Sequence, residues 1–440
     1  MSFPKYPEYK DSGVEWLGEV PEHWATQRLK FIFAIKKRIA GAEGFDVLSI
    51  TQQGIIIKDI EGSKGQFSDD YSKYQIVECG DFAMNGMDLL TGYVDLSIFY
   101  GVTSPDYRVF SLIDEAAWDK NYLLRLLQNG YKQKIFYAFG QGASQLGRWR
   151  FPTQAFNDFI FPRPSKAEQS AIATFLDRET AKIDTLVAEQ EKLIELLKEK
   201  RQAVISHAVT KGLDPNVLTK DSGVEWLGDV PEHWKICRVK HACSHVVDCL
   251  HTTPTYEGEV EFPAIRTADV ERGTLLLDQA RLVSREIYEE RIQRLNPKAG
   301  DILYSREGER FGMAALVPHG VDLCLGQRMM MFRTQTFASS EYLMWTLNSD
   351  SIYKQVLERV GGSTSPHVNI SDIVNFHVSL PPGNEQAEIA RHINGIVAEL
   401  DPLIVEATRT IDLLKERRSA LISAAVTGKI DVRGLAEATQ

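Results

Sequence analysis

The sequence lacks the features of a secreted, membrane-spanning or disulfide-linked protein. Its 440 residues contain no apolar run near the roughly 18 residues that a bilayer-spanning helix needs. The first residues, MSFPKYPEYKDSG, include no apolar stretch like that of a signal peptide. There are only five cysteines, an odd number without a Cys-x2-Cys pair. We therefore expect a cytoplasmic protein with reduced thiols and no membrane partner.

Motifs of common enzyme classes are also missing. There is no Asn-Pro-Pro-Tyr type tetrapeptide of the kind found in methyltransferases. Thr427-Gly428-Lys429 lacks both the preceding glycine spacing and the following Ser or Thr of a phosphate-binding loop. The glycines at 140, 142 and 147 have the wrong spacing for dinucleotide binding. We therefore expect a binding protein that is not an enzyme and carries no cofactor of its own.

A basic charge balance is missing as well. The chain has 50 Lys and Arg against 60 Asp and Glu, a formal net charge of −10. Nucleic-acid-binding domains are usually basic, so the charge counts against DNA binding. Phosphate contacts need only a local basic face, however, and a partner subunit could supply much of the attraction. The charge keeps open a hypothesis of another class, a coiled-coil scaffold with two protein-binding heads and no DNA function.

What the sequence does contain is a tandem repeat. Asp11–Trp24 and Asp221–Trp234 both follow the pattern DSGVEWLG-VPEHW and differ only at Glu19, which corresponds to Asp229. A second matched stretch, residues 168–210, returns as residues 385–427, with Glu-Gln, Leu-Leu-Lys-Glu and Ala-x-Ile-Ser marks in common. Such self-similarity indicates an internal duplication.

Each copy consists of a variable region followed by a nearly constant helical segment. Residues 27–157 and 235–375 share little sequence with each other. In the constant segments, apolar residues recur at alternating spacings of four and three, the coiled-coil period. The two tracks are Ile172, Leu176, Glu179, Ile183, Leu186, Gln190, Leu193, Leu197, Lys200 and Val204, and Ile389, Ile393, Ile396, Leu400, Leu403, Ala407, Thr410, Leu414, Arg417 and Leu421. We expect the helices to pair, with Pro402 kinking or restarting the second one behind Asp401 as a cap.

The variable regions have the composition of mixed domains with substantial strand. Short apolar runs such as Gly54–Ile57, Asp301–Tyr304 and Met329–Phe332 alternate with Gly, Asp and Pro turns. A short helix is predicted in each, near Asn121–Gln133 and Glu341–Glu358.

The predicted fold class is α+β. It consists of two mixed α/β domains separated by two long helices that form an antiparallel coiled coil, with a pseudo-two-fold internal repeat. Asp214-Pro215-Asn216 is predicted to link the repeats. The predicted segments are residues 1–160, 161–214, 215–380 and 381–440.

This organisation resembles the specificity subunits of type I restriction-modification enzymes. The resemblance depends on the doubled DSGVEWLG-VPEHW motif, on the Glu-Gln and Leu-Leu-Lys-Glu marks, and on the proline-rich segments 161–164 and 380–382 at the start of each helix. In the second variable region, residues 248–254 and 300–306 look like one recurrent class of that family's target-recognition domains.

The resemblance implies a DNA-recognition subunit without catalysis. Each variable domain is expected to read one half of a bipartite, asymmetric site on double-stranded DNA. The helices are expected to dock two methyltransferase subunits and two restriction/translocase subunits. S-adenosylmethionine, ATP and Mg are then expected on those partners. A duplicated protein suits this function because two heads about one DNA turn apart, ~34 Å, can read separated half-sites.

Base-reading side chains must reach the groove edges, which favours polar residues on loops. Arg commonly pairs with guanine, and Asn or Gln with adenine. In the first domain the candidates are Asn85, Ser144, Gln145, Arg148 and Arg150. In the second they are His251, Thr252, Thr253, Tyr256, Arg306, Arg310, Ser363, Thr364, Ser365 and His367. The alternative for each is an ordinary solvated loop residue.

A cluster of Cys and His in the second domain raises the question of zinc. If the region were one strand, His241, Cys243 and His245 would share a face, with Cys237, Cys249 and His251 nearby in sequence. Structural zinc sites usually contain Cys-x2-Cys pairs, which are absent. We predict a half-buried strand without metal, with His251 on a loop that faces DNA.

The repeated motif itself is interpreted as a packing element. An exact repeat could be a partner surface, but two tryptophans more often anchor a core. We therefore expect Trp16, Leu17, Pro21 and Trp24 to pack each domain onto the base of the helices.

Overall fold

The chain divides into two units. The computed structural model describes residues 3–59, 70–142, 149–256, 259–308, 310–359 and 367–435. Unit 1 is Met1–Gln190 with Arg409–Gln440, and unit 2 is Glu191–Thr408. Each unit combines one variable region with the start of one long helix and the end of the other. The units therefore cut across the four predicted segments. None of the described helices is long and apolar enough to cross a membrane.

Unit 1 contains the first head, which we define as residues 3–163. Its strands are β1 Tyr9–Asp11, β2 Glu19–Pro21, β3 Ala25–Arg28, β4 Phe33–Lys36, β5 Leu48–Thr51, β6 Gly54–Ile57, β7 Gln75–Val77, β8 Phe82–Met84, β9 Val94–Leu96, β10 Gly101–Thr103, β11 Arg108–Leu112 and β12 Ile160–Arg163. Its helices are α1 Lys120–Lys132 and α2 Thr153–Asp158. The long helix α3, Lys166–Lys211, begins here and ends in unit 2.

Unit 2 contains the second head, which we define as residues 219–380. Its strands are β13 Thr219–Asp221, β14 Asp229–Pro231, β15 Lys235–Arg238, β16 Cys243–Asp248, β17 Phe262–Ile265, β18 Val270–Glu271, β19 Thr274–Leu275, β20 Arg281–Val283, β21 Ile302–Ser305, β22 Ala314–Leu316, β23 Cys324–Leu325, β24 Met329–Thr334 and β25 His377–Leu380. Its helices are α4 Val239–Ala242, α5 Arg285–Arg291, α6 Ser340–Leu347, α7 Asp350–Leu357 and α8 Ile370–Ile373. The long helix α9, Gly383–Val426, begins here and ends in unit 1.

Both heads are built around a four-stranded antiparallel sheet with the same strand order. The order is β4-β11-β8-β9 in the first head and β16-β24-β21-β22 in the second. Aromatic pairs fill the cores: Phe82 stacks on Phe110 at 5.4 Å, and Tyr304 meets Phe332 edge-on at 5.9 Å. The prediction of mixed domains with substantial strand is confirmed.

Away from these sheets the heads differ. The first head adds the two-stranded pairs β5-β6 and β10-β7. The second adds a three-stranded sheet, β20-β17-β23, in which β17 and β23 run parallel, together with α5. Phe262 and Tyr288 stack at 4.2 Å in a small core of this addition. A shared sheet therefore carries different additions, as the divergent sequences suggest.

The predicted helix in the first head is confirmed as α1, whereas Glu341–Glu358 forms two helices. The break lies at Asn348 and Ser349, between α6 and α7. The Asn348 side-chain amide donates to the carbonyl oxygen of Ala314 (2.9 Å) and accepts from the backbone N–H of Ala314 (3.0 Å). Ser349 is extended, with a ψ of 159°, and precedes the new helix. Side-chain bonds to neighbouring backbone groups compete with helix continuation at such residues.

The two long helices form an antiparallel pair, as predicted. In unit 1, Arg418 of α9 forms an ion pair with Asp184 of α3 at 2.8 Å. In unit 2, Arg201, further along α3, pairs with Asp401, which comes earlier in α9, at 2.9 Å. The apolar tracks are buried near the heads, as at Ile172, Leu176, Ile389 and Ile393, and at some positions further along, as at Leu400 and Ala407. Toward the middle of each helix they include exposed residues, namely Leu186, Leu193 and Leu403.

The prediction that Pro402 restarts the second helix is wrong. The structure has one helix from Gly383 to Val426 with Pro402 inside it. Proline removes one backbone donor, which leaves the carbonyl of the residue four positions earlier without its helical partner. That residue, Ala398, is exposed, as is Pro402, so water can satisfy the carbonyl. Asp401 pairs with Arg201.

Equivalent buried tyrosines fasten each head to a helix end. The hydroxyl of Tyr122 donates to the carbonyl oxygen of Val426 (3.2 Å), and that of Tyr342 donates to the carbonyl oxygen of Val209 (3.2 Å). Each head is thus hydrogen-bonded to the last turn of the helix that belongs to the other repeat. These contacts satisfy carbonyls that a helix end leaves without partners.

Equivalent buried glutamines fasten each head to the start of its own helix. Gln169 and Gln386 each accept one backbone N–H and donate to two backbone carbonyls. The partners are Asp119, Ala117 and Pro164 for Gln169, and Ser339, Phe337 and Pro381 for Gln386. We call the paired tyrosine and glutamine contacts the frame.

The repeated motif packs at the helix ends, which confirms its interpretation as a core element. Trp24 and Trp234 are fully buried. Each long helix is followed by a glycine in the left-handed region, Gly212 with φ of 77° and Gly428 with φ of 76°. A Cβ on Gly428 would lie 3.0 Å from the Trp24 ring, and one on Gly212 3.3 Å from the Trp234 ring. Glycine therefore provides both the helix stop and the close approach.

Candidate nucleic-acid interface

In the second head, the candidate loops meet because of strand order. The strand β16 ends at Asp248, which pairs with Met330 near the start of β24. The strand β21 ends at Ser305, which pairs with Met329, the first residue of β24. In antiparallel neighbours, the end of one strand lies beside the start of the next. The segments after β16, after β21 and before β24 therefore emerge at one edge of the sheet.

A chain of ion pairs ties these segments together. His251 lies 3.0 Å from one oxygen of Asp248, and the Nε of Arg306 lies 3.3 Å from the other. Arg306 also pairs with Glu307 at 2.6 Å, and Glu307 pairs with Arg328 at 3.3 Å. The network ends on two exposed side chains, those of His251 and Arg328. Of the predicted residues, the structure brings His251 and Arg306 together here.

Arg306 lies inside this network. It is 7% exposed and engages two carboxylates. A base contact through Arg306 would require these pairs to open, so its predicted role as a reader stays a prediction. Arg310 lies elsewhere, where it donates to the carbonyl oxygen of Ala268 (3.1 Å) and pairs with Glu271 (3.3 Å).

The threonines of the predicted loop accept hydrogen bonds from two neighbouring side chains. The buried Arg291 donates to the carbonyl oxygen of Thr252 at 2.5 Å, and Gln327 donates to the hydroxyl of Thr253 at 2.6 Å. Both threonines are exposed. Tyr256 is half-buried, and the Arg281 guanidinium lies over its ring at 5.0 Å. The loop is therefore oriented by Arg291 and Gln327, while both threonines remain exposed.

His367 joins the same edge through the backbone. It forms a β-bridge with Glu307, and the backbone N–H of Val368 donates to the carbonyl oxygen of Arg306 (3.2 Å). Ser363, Thr364 and Ser365 lie outside the described residues.

The first head has the corresponding edge. The strand β8 ends at Met84, opposite Arg108 at the start of β11. The backbone N–H of Asn85 donates to Tyr93 as that of Ser305 donates to Met313, so Asn85 takes the position that Ser305 has in the second head. The backbone N–H of Phe151 donates to the carbonyl oxygen of Gly86 (2.8 Å), which brings Arg150 beside Asn85. Arg150 is exposed and Asn85 is half-buried. Ser144, Gln145 and Arg148 lie outside the described residues.

Sequence reasoning missed arginines that begin the central strands or directly precede them. Arg108 donates to the carbonyl oxygen of Phe151 (3.0 Å) and lies 4.6 Å over the Phe156 ring. Burial lowers the pKa of Arg108 to about 10. In the second head, Gln327 and Arg328 precede β24. The signal was a polar Gly-Gln-Arg triplet between two apolar runs, which indicates a turn bearing base-pairing residue types.

The geometry does not bring the Cys and His candidates together on one strand face. His241 lies on α4, outside the strand, and β16 has a register shift between Cys243 and His245. Cys243 is buried and His245 exposed as a result. Burial raises the pKa of the Cys243 thiol to about 12, which disfavours the thiolate that binds metal. The described residues include no group of three or more His, Cys, Asp or Glu able to hold a metal ion.

Comparisons with known proteins identify similar chains. A family model for the type I restriction modification DNA specificity domain matches residues 253–401. The EcoBI specificity subunit of a type I restriction enzyme from Escherichia coli is 23% identical over 334 residues, 71% of this chain and 69% of the relative. The MjaVIII specificity subunit from Methanocaldococcus jannaschii is 23% identical over 458 residues and 99% of both chains.

A solved structure shares the fold. It comes from work on complex assembly and conformational transition of the type I R-M system. The likeness covers 92% of this chain and 98% of that chain, with a TM-score of 0.67 and 15% identity. The predicted α+β fold class, with two mixed domains and a pair of long helices, is thereby confirmed.

Proposed function

Because the chain belongs to the family of type I restriction-modification DNA specificity subunits, we propose that it reads a bipartite, asymmetric DNA site. Each head reads one half-site through the loop edge of its four-stranded sheet. The chain itself performs no catalysis. S-adenosylmethionine, ATP and Mg are bound by the partner subunits.

The observation that carries this proposal is a constant frame holding two different edges. Tyr122 and Tyr342 make the same contact, as do Gln169 and Gln386. At the loop edges the residues differ, with Asn85 in the position of Ser305 and Gly86 in that of Arg306. Two heads with different edge residues on equivalent frame contacts are suited to two different half-sites. The reason is that base readout depends on the side chains that reach the groove.

The helices supply surface for the partners. In unit 1, Leu186 and Leu413 are 44% and 54% exposed. In unit 2, Leu403 and Val405 are 52% and 67% exposed. Exposed apolar side chains on one element favour protein association. We assign this surface to two methyltransferase subunits, to which two restriction/translocase subunits then add.

The decisive experiment is a methylome of cells that express this chain with the methyltransferase encoded beside it. We expect one motif with two unlike half-sites separated by unread base pairs. Cells with the methyltransferase alone are the control and should lack the motif. A continuous motif, or an identical methylome without this chain, would contradict the proposal.

Assembly is tested by co-purification and mass measurement. We expect two methyltransferase copies per chain. Leu403→Glu should weaken this complex because it places a charge on the apolar surface. Leu357→Glu is the matched control, since Leu357 is 53% exposed but lies on the second head. Equal binding by both variants would exclude this part of the helix as the docking surface.

The scaffold hypothesis is favoured by one observation, the net charge of −10. It predicts that the assembled complex binds DNA no better than the methyltransferase alone. Titration of labelled duplexes with both preparations distinguishes the two functions. Membership of the DNA specificity family favours the first.

A further inference from the structure

The segment before β24 contains an arginine in a backbone conformation typical of glycine. Arg328 has a φ of 64°. Such strain persists only where the surroundings enforce it. Here the backbone N–H of Arg306 donates to the carbonyl oxygen of Arg328 (3.2 Å), and that of Cys249 donates to Met329 (3.0 Å). Glycine would meet the same bonds without strain, so the backbone gives no reason for an arginine at this position.

The side chain of Arg328 projects from the edge and is held at one point. It is 51% exposed, and its Nε lies 3.3 Å from an oxygen of Glu307. The other oxygen of Glu307 lies 2.6 Å from the buried Arg306. Within the described part of the chain, the side chain of Arg328 pairs with Glu307 through its Nε. Neither terminal nitrogen of the guanidinium has a hydrogen-bond partner there. The guanidinium is therefore oriented while its two outer nitrogens remain available.

Besides its ion-pair partner Glu307, the neighbours of Arg328 include polar, uncharged side chains. Gln327 donates to the hydroxyl of Thr253, and Thr252 and Thr253 are exposed. This composition suits the edges of bases, which present donors, acceptors and a thymine methyl in the major groove. A site that only gripped phosphates would gain from several cations, whereas this patch combines one oriented guanidinium with hydroxyl and amide groups.

We propose that Arg328 is a specificity-determining residue of the second head and donates a bidentate pair of hydrogen bonds to O6 and N7 of a guanine in its half-site. This role rests on the DNA reading proposed above. Arginine matches this pair of acceptors through its rigid fork, which lysine lacks. Glu307 is a positioning residue, because it fixes the guanidinium before DNA arrives.

The test compares methylomes of cells that express the methyltransferase with wild-type chain, R328G, R328K or E307Q. The wild-type second half-site should contain a guanine that R328G no longer requires, with discrimination at that position falling roughly ten- to a hundred-fold. R328K should relax the same position although the charge is kept. E307Q should relax it partly. The first half-site should stay unchanged in all of them.

Two controls separate reading from folding and from general ion pairing. R328G should leave the melting temperature of the purified complex equal or higher, because glycine suits a positive φ. R285A removes another exposed arginine of the same head, paired with Glu261 at 3.1 Å, and should leave the motif unchanged.

Several results would overturn the proposal. If R328G lowers methylation evenly with an unchanged motif, Arg328 contacts phosphate. If the motif and its extent are both unchanged, it contacts no DNA. A wild-type second half-site without guanine also excludes the role. The proposed function fails separately, when the wild-type chain itself directs no bipartite motif.

Discussion

The two units hold their heads with the same residues but differ where the repeated motif meets the helix. In unit 2, Glu385 accepts from the indole N–H of Trp234 (3.0 Å) and lies 2.8 Å from His233. In unit 1, the corresponding Glu168 accepts from the hydroxyl of Tyr6 (2.7 Å) and lies 3.1 Å from His23. The indole nitrogen of Trp24 has no partner among the described residues.

This difference shows which parts of a duplicated structure are constrained. A buried glutamate must keep hydrogen-bond donors, yet different residues can supply them. In each frame contact the partner of the tyrosine or glutamine side chain is a backbone carbonyl or amide, which most substitutions leave in place. We infer that this is why the heads can diverge while their attachment stays equivalent.

The largest effects are expected at the frame glutamines. Gln386→Ala leaves one partly buried backbone N–H and two carbonyls without this partner. We expect a loss of about 4 kcal/mol in the free energy of unfolding of unit 2, and a similar loss in unit 1 for Gln169→Ala. Urea unfolding with a probe in each unit measures both. If only one variant is destabilised, the frame contacts are not equivalent.

The glycines that follow the two long helices should differ in their sensitivity to substitution, whereas the frame glutamines should not. A Cβ on Gly428 would lie 2.5 Å from Cδ of Pro21, whereas on Gly212 the nearest atom is the Trp234 ring at 3.3 Å. Both residues have positive φ. We expect Gly428→Ala to cost about 3 kcal/mol and Gly212→Ala about 1 kcal/mol. Thermal melts of the two variants decide whether the first is the more damaging.

The frame tyrosines should make stability depend on alkaline pH. Burial raises the pKa of Tyr122 and of Tyr342 above the ordinary value near 10. Above that value the unfolded chain releases protons that the folded chain keeps, so stability falls as pH rises. Each tyrosine contributes a slope of ~1.4 kcal/mol per pH unit. Tyr122→Phe and Tyr342→Phe should each make the decline between pH 10 and 11 less steep by similar amounts, as measured by urea unfolding.

The smallest effects are expected at the ion pairs between the helices. In unit 1, the Asp184 side chain paired with Arg418 is 56% exposed, so Arg418→Ala should cost no more than ~0.5 kcal/mol. Arg201 is 15% exposed and also donates to the carbonyl oxygen of Arg272 (2.7 Å). Arg201→Ala should therefore cost more, about 1 kcal/mol. Chemical denaturation at low and high salt separates the ionic part.

Periodicity and repetition predicted the architecture because they reflect many residues at once. The tracks through Ile172 and Ile389 predicted two long helices, and the doubled motif predicted an internal duplication. Pro402 wrongly suggested a new helix start, because the effect of a proline depends on whether the carbonyl four residues earlier, here that of Ala398, is exposed. The break at Asn348 depends on a contact with Ala314, which is distant in sequence.

The candidate site was predictable only in part. Residue type and loop position pointed to the edge around His251 and Arg306. They did not show that Arg306 would be buried between Asp248 and Glu307, or that Arg328 would be exposed beside them. Whether these side chains are buried depends on which strands become neighbours. The neighbours β16 and β24 are separated by about 80 residues of chain, so local sequence does not show that they meet.

The chain ends in unit 1 have a topological consequence. The backbone N–H of Asp431 donates to the carbonyl oxygen of Pro4 (2.8 Å), and the Arg433 guanidinium lies 4.9 Å from the Tyr6 ring centre. In unit 2 the equivalent stretch is continuous chain. A hydrogen bond in unit 1 thus joins two segments that in unit 2 are joined by the backbone. A circular permutant that links the segments around Pro4 and Asp431 and begins within residues 214–216 should keep every frame contact.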